Sequence, residues 1–492
     1  MTPKHPANSP ATPLQDSGSG PAQAPAKNVA QNVAQSTAAP RGAAENARLS
    51  TLADDLVRLA KTAGADYADV YAYSSTALST AVRLGEQDYF EREEDTGLGL
   101  RVFIGKSSAC LSSSDIRLQA LKDLADKAVT MARHVPADEF AILPERGLAA
   151  DAIPALNLTD PAGEPDAQSL IALALAVENA GRAVDGITNS EGAEAEWSSS
   201  TVVLCASNGF QGAYRKDYCS ASLSLIAGEG TGMERDYAYD GCTRMSDMDK
   251  AAEIGQRAAD RTLARMNPRR GKTGRFPVIY DRRVSSSLVG HLLGAINGAR
   301  IVRGTSFLND SLGKQIFTPH ITIHDDAGLD YMPKSRPFDS EGQAITPLTL
   351  VESGVLNHWI MDLRSAARLA MPNNGHASRG LASQPSPSAA NVWLENGEAA
   401  LADIIADIKD GFYITELIGS SISTTSGDYS RGASGFWIEN GKIAYPVSEL
   451  TIAGNLRDIY ASLIPADDLR RRYGTDAPSL FVPALTVASP TQ

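Results

Sequence analysis

Apolar residues first take up helical spacing at Leu52, Leu56, Leu59, Ala60 and Ala63, and Gly64 closes the run. Thr51 with Asp54 three residues on has the form of a capping box, with Asp in place of Glu or Gln, so order is expected to begin near Thr51. Beyond Gly64 the period changes from 3.6 to 2. Alternating stretches at 69–73, 78–84, 89–93 and 98–104 predict antiparallel strands, with Gly85 and Gly97 at the joints. Ser114 is placed to cap a second helix with Leu118, Leu121, Ala125, Ala128 and Ala132 on one face. Helix, meander and helix make a compact α/β unit over 48–135.

Residues 136–165 carry five prolines and no period, which reads as a linker. Asp166 then opens a helix through Leu170, Leu173, Ala174 and Val177. Strands are predicted at 194–198, 201–206, 218–226 and 233–239, and a helix over 247–266 completes a middle α/β unit, 166–272. A third unit, 273–492, opens with a strand at 276–280 and a helix over about 284–299. It continues in strands and hairpins, with one further helix at Leu401, Ile404, Ile405 and Ile408. Asn440-Gly441 between two apolar runs is a two-residue hairpin signal. The expected class is α+β: two small α/β units ahead of a large, mainly antiparallel β unit with a few helices.

Composition changes this picture at the front. Residues 1–47 are rich in Pro, Ala, Gln, Ser and Asn and have no aromatic residue, so they are expected to form a disordered tail. The 58 acidic against 45 basic residues give a net charge of −13, which argues against nucleic acid as a partner, because phosphate binding needs a positive face. The longest apolar run, residues 170–177, is too short to cross a bilayer, so no membrane association is expected. Cys110, Cys205, Cys219 and Cys242 lack CxxC spacing and read as reduced thiols of a cytoplasmic protein.

Candidate chemistry is sparse. None of the seven histidines is followed by Glu, so HExxH and HExxxH are absent. His320 and His324 have i,i+4 spacing, but the β-branched Ile-Thr-Ile between them predicts a strand, which would hold the two rings about 13 Å apart along one face, too far for a common ion. His291 lies on a predicted helix among Leu292, Ala295 and Ile296 and reads as a core or interface histidine. No serine has Gly at both −2 and +2, which removes the nucleophile elbow. The run Ser426-Gly-Asp-Tyr-Ser-Arg-Gly-Ala-Ser-Gly435 stands apart. Polar residues between glycines suggest either a β connection or a loop facing a ligand or partner.

That run, extended through Gly427–Gly441, resembles a signature of the TldD/PmbA family, and more narrowly of its PmbA (TldE) branch. So do Ser306-Phe-Leu-Asn-Asp-Ser-Leu-Gly-Lys-Gln315, Gly97-Leu-Gly-Leu-Arg-Val102 and Tyr445-Pro-Val-Ser-Glu-Leu-Thr-Ile-Ala-Gly-Asn455. The resemblance implies a two-subunit zinc metallopeptidase acting on peptides or unfolded polypeptides. In that family the TldD subunit supplies an HExxxH helix and a later cysteine ligand. Here the matching helix reads His291-Leu292 and no cysteine follows Cys242, so neither element carries over. The resemblance therefore implies a chain without a metal of its own, paired with a zinc-bearing TldD-type subunit. Its expected role is to enclose substrate, offering strand edges to hold a peptide and the loop of Asp428, Tyr429, Ser430, Arg431 and Gly432 as a cavity or interface element. The alternatives are a regulator-binding module without proteolytic activity, of the kind called a modulator of DNA gyrase, and hydrolysis by a site of its own.

Overall fold

The computed structural model describes residues 41–140, 142 and 152–489; most of the predicted tail (1–40) and part of the predicted linker (141 and 143–151) lie outside them. Helix α1 (Arg41–Thr62) begins ten residues ahead of the predicted cap. Thr51 sits within it, its hydroxyl donating to the Ala47 carbonyl at 2.9 Å rather than closing an N-terminus. Residues 41–47 thus belong to the helix and not to the tail. Alanine has the highest helix propensity, and the Glu45–Arg48 pair adds local support.

The chain continues through β1 (Tyr67–Arg83), β2 (Glu86–Ile104), β3 (Ser107–Ser113), α2 (Leu118–His134), α3 (Ala167–Arg182), β4 (Ile187–Ala206), β5 (Gln211–Ala227), β6 (Glu234–Cys242) and α4 (Ala251–Ala264). The short strands predicted from alternation are pieces of longer ones, and β1, β2, β4 and β5 each run 17 to 20 residues. Gly85 does make the β1–β2 turn, with Leu84 and Gly85 both at positive φ, 53° and 84°. Gly97, expected at a joint, lies inside β2.

All six strands form one antiparallel sheet in the order β3-β2-β1-β4-β5-β6. The predicted front and middle units are therefore two halves of a single sheet, joined where Asp69–Val82 of β1 pairs with Ala206–Ala193 of β4. Helices cover one face in two clusters. Leu49 and Leu56 of α1, with Leu121 and Ala128 of α2, pack against Val70, Leu100 and Val203. Leu170 and Val177 of α3, with Ile254 and Ala258 of α4, pack against Val82, Trp197 and Leu223. Val70 and Val82 share a parity on β1, so both helix pairs lie on the same side.

The C-terminal unit follows as β7 (Gly274–Tyr280), α5 (Arg282–Ala295), α6 (Gly298–Val302), β8 (Ile323–Asp326), β9 (Leu348–Glu352), β10 (Val355–Leu356), α7 (Leu363–Leu369), β11 (Ala377–Ser378), β12 (Ser386–Pro387), β13 (Asn391–Leu394), α8 (Leu401–Ala406), β14 (Asp410–Ile422), β15 (Asp428–Glu439), β16 (Lys442–Asn455), α9 (Leu456–Ser462), β17 (Ile464–Pro465), β18 (Thr475–Asp476) and β19 (Leu480–Ala488). Its main sheet runs β16-β15-β14-β7-β19-β17, and β19 pairs back onto β16 at 451–453, closing the sheet on itself. The smaller sheet is β10-β9-β8-β13-β18. Asn440 and Gly441 form the predicted hairpin turn, both with positive φ. The helix predicted over 284–299 is broken in two. Asn297 caps α6 by accepting from Ala299 N, and a Cβ on Gly298 would stand 2.9 Å from the Ile360 carbonyl. Among the described residues no helix is long and apolar enough to cross a membrane.

The uncovered face of the front sheet meets the C-terminal unit. Opposite one another on β1 and β2 stand Tyr73 and Gly97, Tyr71 and Gly99, and Asp69 and Arg101. A Cβ on Gly99 would lie 2.1 Å from the Leu381 carbonyl oxygen and one on Gly97 2.3 Å from the Leu381 Cδ1, so both glycines are there to admit this segment. Carboxylate–arginine pairs fasten the seam. Asp69, 1% exposed, holds Arg101 and Arg379; Arg101 also reaches Glu341 at 3.4 Å. Further along, Asp236 binds Arg283 through both oxygens at 3.0 Å, and Asp240 binds Arg472 at 2.9 and 2.6 Å.

Candidate functional site

Three of the four signature segments meet at the turn before β15. Ser306 anchors the first by donating to the Ala295 carbonyl at the end of α5, at 2.6 Å, while accepting from Leu308 N. Phe307 N then bonds Thr424 O at 2.8 Å, and Arg300 reaches the Thr424 hydroxyl at 2.9 Å. Gly427, at φ +83°, has Phe307 3.3 Å and Asn455 3.0 Å from where a Cβ would be. Asn455, the last residue of the 445–455 segment, donates to Ser426 O and to the Asp428 carboxylate, which also accepts from Ser426 Oγ at 2.6 Å. The fourth segment, 97–102, lies apart on the interdomain seam.

The five candidate residues are on a strand, not a loop. Asp428–Gly432 is the beginning of β15, hydrogen-bonded on one side to β14 and on the other to β16. The glycines allow close packing: a Cβ on Gly435 would meet the Tyr413 carbonyl at 2.0 Å, and one on Gly432 the Ile418 carbonyl at 3.3 Å. With both sides paired, β15 has no free edge to receive a peptide strand. Alternation divides the five between two surroundings. Tyr429 is buried, whereas Asp428 is exposed and Ser430, Arg431 and Gly432 are half-buried.

Tyr429 and Arg431 face His291 on α5. Asp281 caps that helix by accepting from Arg283 N, and Leu288, Val289, Leu292 and Ala295 anchor it in the main core. His291 falls beside this apolar stripe, its ring edge-on to Tyr429 at 5.9 Å. The Tyr429 hydroxyl lies 3.3 Å from that of the fully buried Tyr280. Burial raises both phenols above their usual range. His291 Nε2 and Arg431 Nε are buried without hydrogen-bond partners. Burial first, and the Arg431 charge second, push the imidazole down to about 4, so it is neutral at physiological pH.

This donor set does not suit a zinc ion. A neutral imidazole is a good ligand, but its charged neighbour is a guanidinium, which repels a dication, and phenols held protonated are poor ligands. Among the described residues no carboxylate is hydrogen-bonded or ion-paired to His291 to act as general base. The patch can instead donate hydrogen bonds and receive an anionic or carbonyl-rich surface.

The other two candidate histidines lie apart from His291. His320 lies in a turn just ahead of β8, which begins only at Ile323. His324 is on β8, its Nε2 2.9 Å from Glu395 and its ring against Trp393. Among the described residues no group of three or more His, Cys, Asp or Glu is placed to hold a metal. Sequence reading missed the buried partnership of Asp69, Arg101, Glu341 and Arg379, whose members are up to 310 positions apart. The alternation that puts Asp69 on the face opposite Val70 was its one local trace.

The chain matches family profiles described as PmbA/TldA metallopeptidase domain 1 at residues 68–132, central domain at 160–266 and C-terminal domain at 273–489. It is 35% identical to Metalloprotease PmbA of Escherichia coli O157:H7 over 86% of its own length and 92% of that protein's. It is also 23% identical to the Metalloprotease TldD homolog of Haemophilus influenzae, over 79% and 83%. A crystal structure from Bacteroides thetaiotaomicron, of a protein proposed as a modulator of DNA gyrase, superposes with a TM-score of 0.82 at 26% identity, covering 89% of this chain and 98% of that one. TldE of Thermococcus kodakarensis has the same fold, with a TM-score of 0.79 at 21% identity over 89% and 100%.

Proposed function

Since the chain belongs to the PmbA/TldD metallopeptidase family, we propose that it is the TldE-type, zinc-free subunit of a two-component peptidase. Its partner would be a TldD-type subunit that carries the zinc and the general base, and its substrates peptides or unfolded polypeptides. The observation that carries this reading is that His291 faces the cationic Arg431, in a chain that has no His-Glu dipeptide and no cysteine after Cys242. In that setting bond cleavage falls to the partner, and this chain contributes walls and binding contacts.

The starting stretch of β15 suits a wall or interface. Arg431 offers an unpaired Nε, and Asp428 an exposed carboxylate held by Ser426 and Asn455. Any peptide contact there is made by side chains, because the backbone of β15 is already paired.

Co-expression with a TldD-type subunit, followed by zinc analysis and a peptide-cleavage assay, tests the proposal. One zinc per heterodimer is expected, seated in the partner, with cleavage requiring both chains. Asp428→Ala combined with Arg431→Ala should lower turnover by about tenfold, the scale of one or two lost polar contacts. Unchanged turnover and assembly in that variant rejects the role of β15. Zinc held stoichiometrically by this chain alone rejects the zinc-free assignment. Binding of a regulatory polypeptide with no cleavage in the presence of the partner favours the gyrase-modulator reading instead.

A further inference from the structure

A cavity of about 290 Å³ opens between the uncovered face of the front sheet and the C-terminal unit, away from His291. Lys216 comes to it from β5; Lys334, Arg336, Asp339 and Ser340 come from the segment between β8 and β9; Arg379 follows β11. Four cations face one carboxylate, in a protein whose net charge is −13.

The one carboxylate is already engaged. Asp339 accepts from the backbone amides of Glu341 and Gln343, each at 2.9 Å, and from that of Ala377 at 3.1 Å. Three of the cations, meanwhile, bond neutral oxygens. Lys216 donates to Pro333 O at 2.6 Å, Lys334 to Thr475 Oγ1 at 2.8 Å and Arg336 to Ser388 O at 3.1 Å. Arg379 pairs with Asp69 through one amino group and donates to Gly99 O through the other at 3.4 Å, which leaves its Nε.

What remains is a set of polar atoms with nothing to bind. Arg336 Nε, Arg379 Nε and Ser340 Oγ are buried without hydrogen-bond partners, and Ser340 and Arg379 are only 7% and 8% exposed. Buried donors left unmade cost free energy, and they are retained where something supplies the acceptor. The electrostatics agree with the geometry. Burial, then Arg336 and Lys334, push Lys216 down to about 8. Asp325 and Asp476 offset part of the charge on Lys334, yet burial still holds it below its usual range.

We propose that this cavity is a binding site for a small oxyanion, with a phosphate group as the best match. An oxyanion accepts from several converging donors at once, and Arg336, Arg379 and Ser340 offer those donors on one lining while Lys216 and Lys334 supply charge. The volume admits a compact, phosphate-bearing metabolite and excludes a folded polypeptide. Because its walls come from both units, an occupant would tie the front sheet to the C-terminal unit. The site uses no residue of the His291 patch, so the proposal stands apart from the subunit assignment.

The test is a melting-temperature titration of the full chain with inorganic phosphate, pyrophosphate and succinate, against sodium chloride at matched ionic strength. Phosphate or pyrophosphate should raise the melting temperature progressively, because a ligand of the folded state stabilises it by mass action. Chloride should not. A shift with succinate alone identifies the occupant as a carboxylate and supports the oxyanion site. Lys216→Met should abolish the shift, and Ser340→Ala, which breaks no existing hydrogen bond, should weaken apparent affinity about tenfold. If Lys216→Met fails to fold, Ser340→Ala decides alone. No shift with any oxyanion at millimolar concentration, or equal shifts in the wild type and the variants, overturns the proposal.

Discussion

Two charged regions lie side by side on the seam between the front sheet and the C-terminal unit, and they are built in opposite ways. In one, Asp69 binds both Arg101 and Arg379, and Glu341 stands 3.4 Å from Arg101. In the other, one residue along the chain from Glu341, Ser340 joins Lys216, Lys334 and Arg336, whose hydrogen bonds go to neutral oxygens. The first is nearly closed: Asp69 stands against both arginines and holds two units together, and Arg379 alone borders both regions, its Nε left free towards the cavity. The second is open, as the His291–Arg431 patch is open. Burial alone does not separate a structural charge from a functional one; pairing does. A buried pair broken on one side leaves its partner stranded, whereas an unpaired group was never part of the fold's own balance.

The largest effect is expected where the closed region is cut. Asp69→Ala strands two buried guanidiniums and should cost about 3–5 kcal/mol, measurable as a lower urea midpoint at unchanged slope. A value below 1 kcal/mol would end the distinction drawn between the two regions.

Next comes the steric fit that brings the units together. Gly99→Val places a side chain into the Leu381 backbone and should cost about 1–3 kcal/mol by overpacking, read in the same assay.

The pH response separates the closed region from the His291 patch by sign. Burial, countered by Arg101 and reinforced by Asp339, pushes the Glu341 carboxyl up to about 8. A folded pKa raised above the unfolded one favours the protonated form. That contribution is full below about pH 4.5 and is lost as pH rises towards 8. His291 behaves in the opposite sense. Its pKa is depressed to about 4, so the unfolded chain takes up a proton first and stability falls as pH drops from about 6.5 to 4. Denaturation of Glu341→Gln and His291→Gln across pH 4–8, each compared with wild type, should therefore give difference curves of opposite slope. Two parallel curves would refute this.

The smallest effect belongs to the open region. Lys216→Met removes a desolvated cation and one bond to a carbonyl, so stability should stay within about 1 kcal/mol of wild type. A loss as large as that of Asp69→Ala would mean that Lys216 belongs to the fold's own charge balance.

Local chemistry made much of the secondary structure legible. Asp166 caps α3 by accepting from Ser169 N at 2.7 Å, as its position ahead of an apolar stripe implied. Asn440-Gly441 turns the β15–β16 hairpin because both residues take up positive φ at little steric cost. Where local signals were ambiguous they misled. Thr51 reads as a cap because a hydroxyl serves equally at a helix start and within a helix, where it donates to the Ala47 carbonyl. Gly97 reads as a joint, although it lies inside β2 and makes room for the Leu381 side chain.

By itself, then, the sequence determined the α+β class, the hairpins and most helix positions, and, through the absence of His-Glu, the lack of an HExxxH zinc motif. These depend on residues within a few positions of each other, whose spacing is visible in a line of letters. Only the tertiary structure decided that the two front units share one sheet, that His291 stands against Arg431, and that Lys216, Arg336 and Arg379 surround one cavity. The physical reason is that strand partnership and charge balance are set by which segments meet across space. Pairs as far apart as Asp69 and Arg379 leave no periodicity in the chain between them.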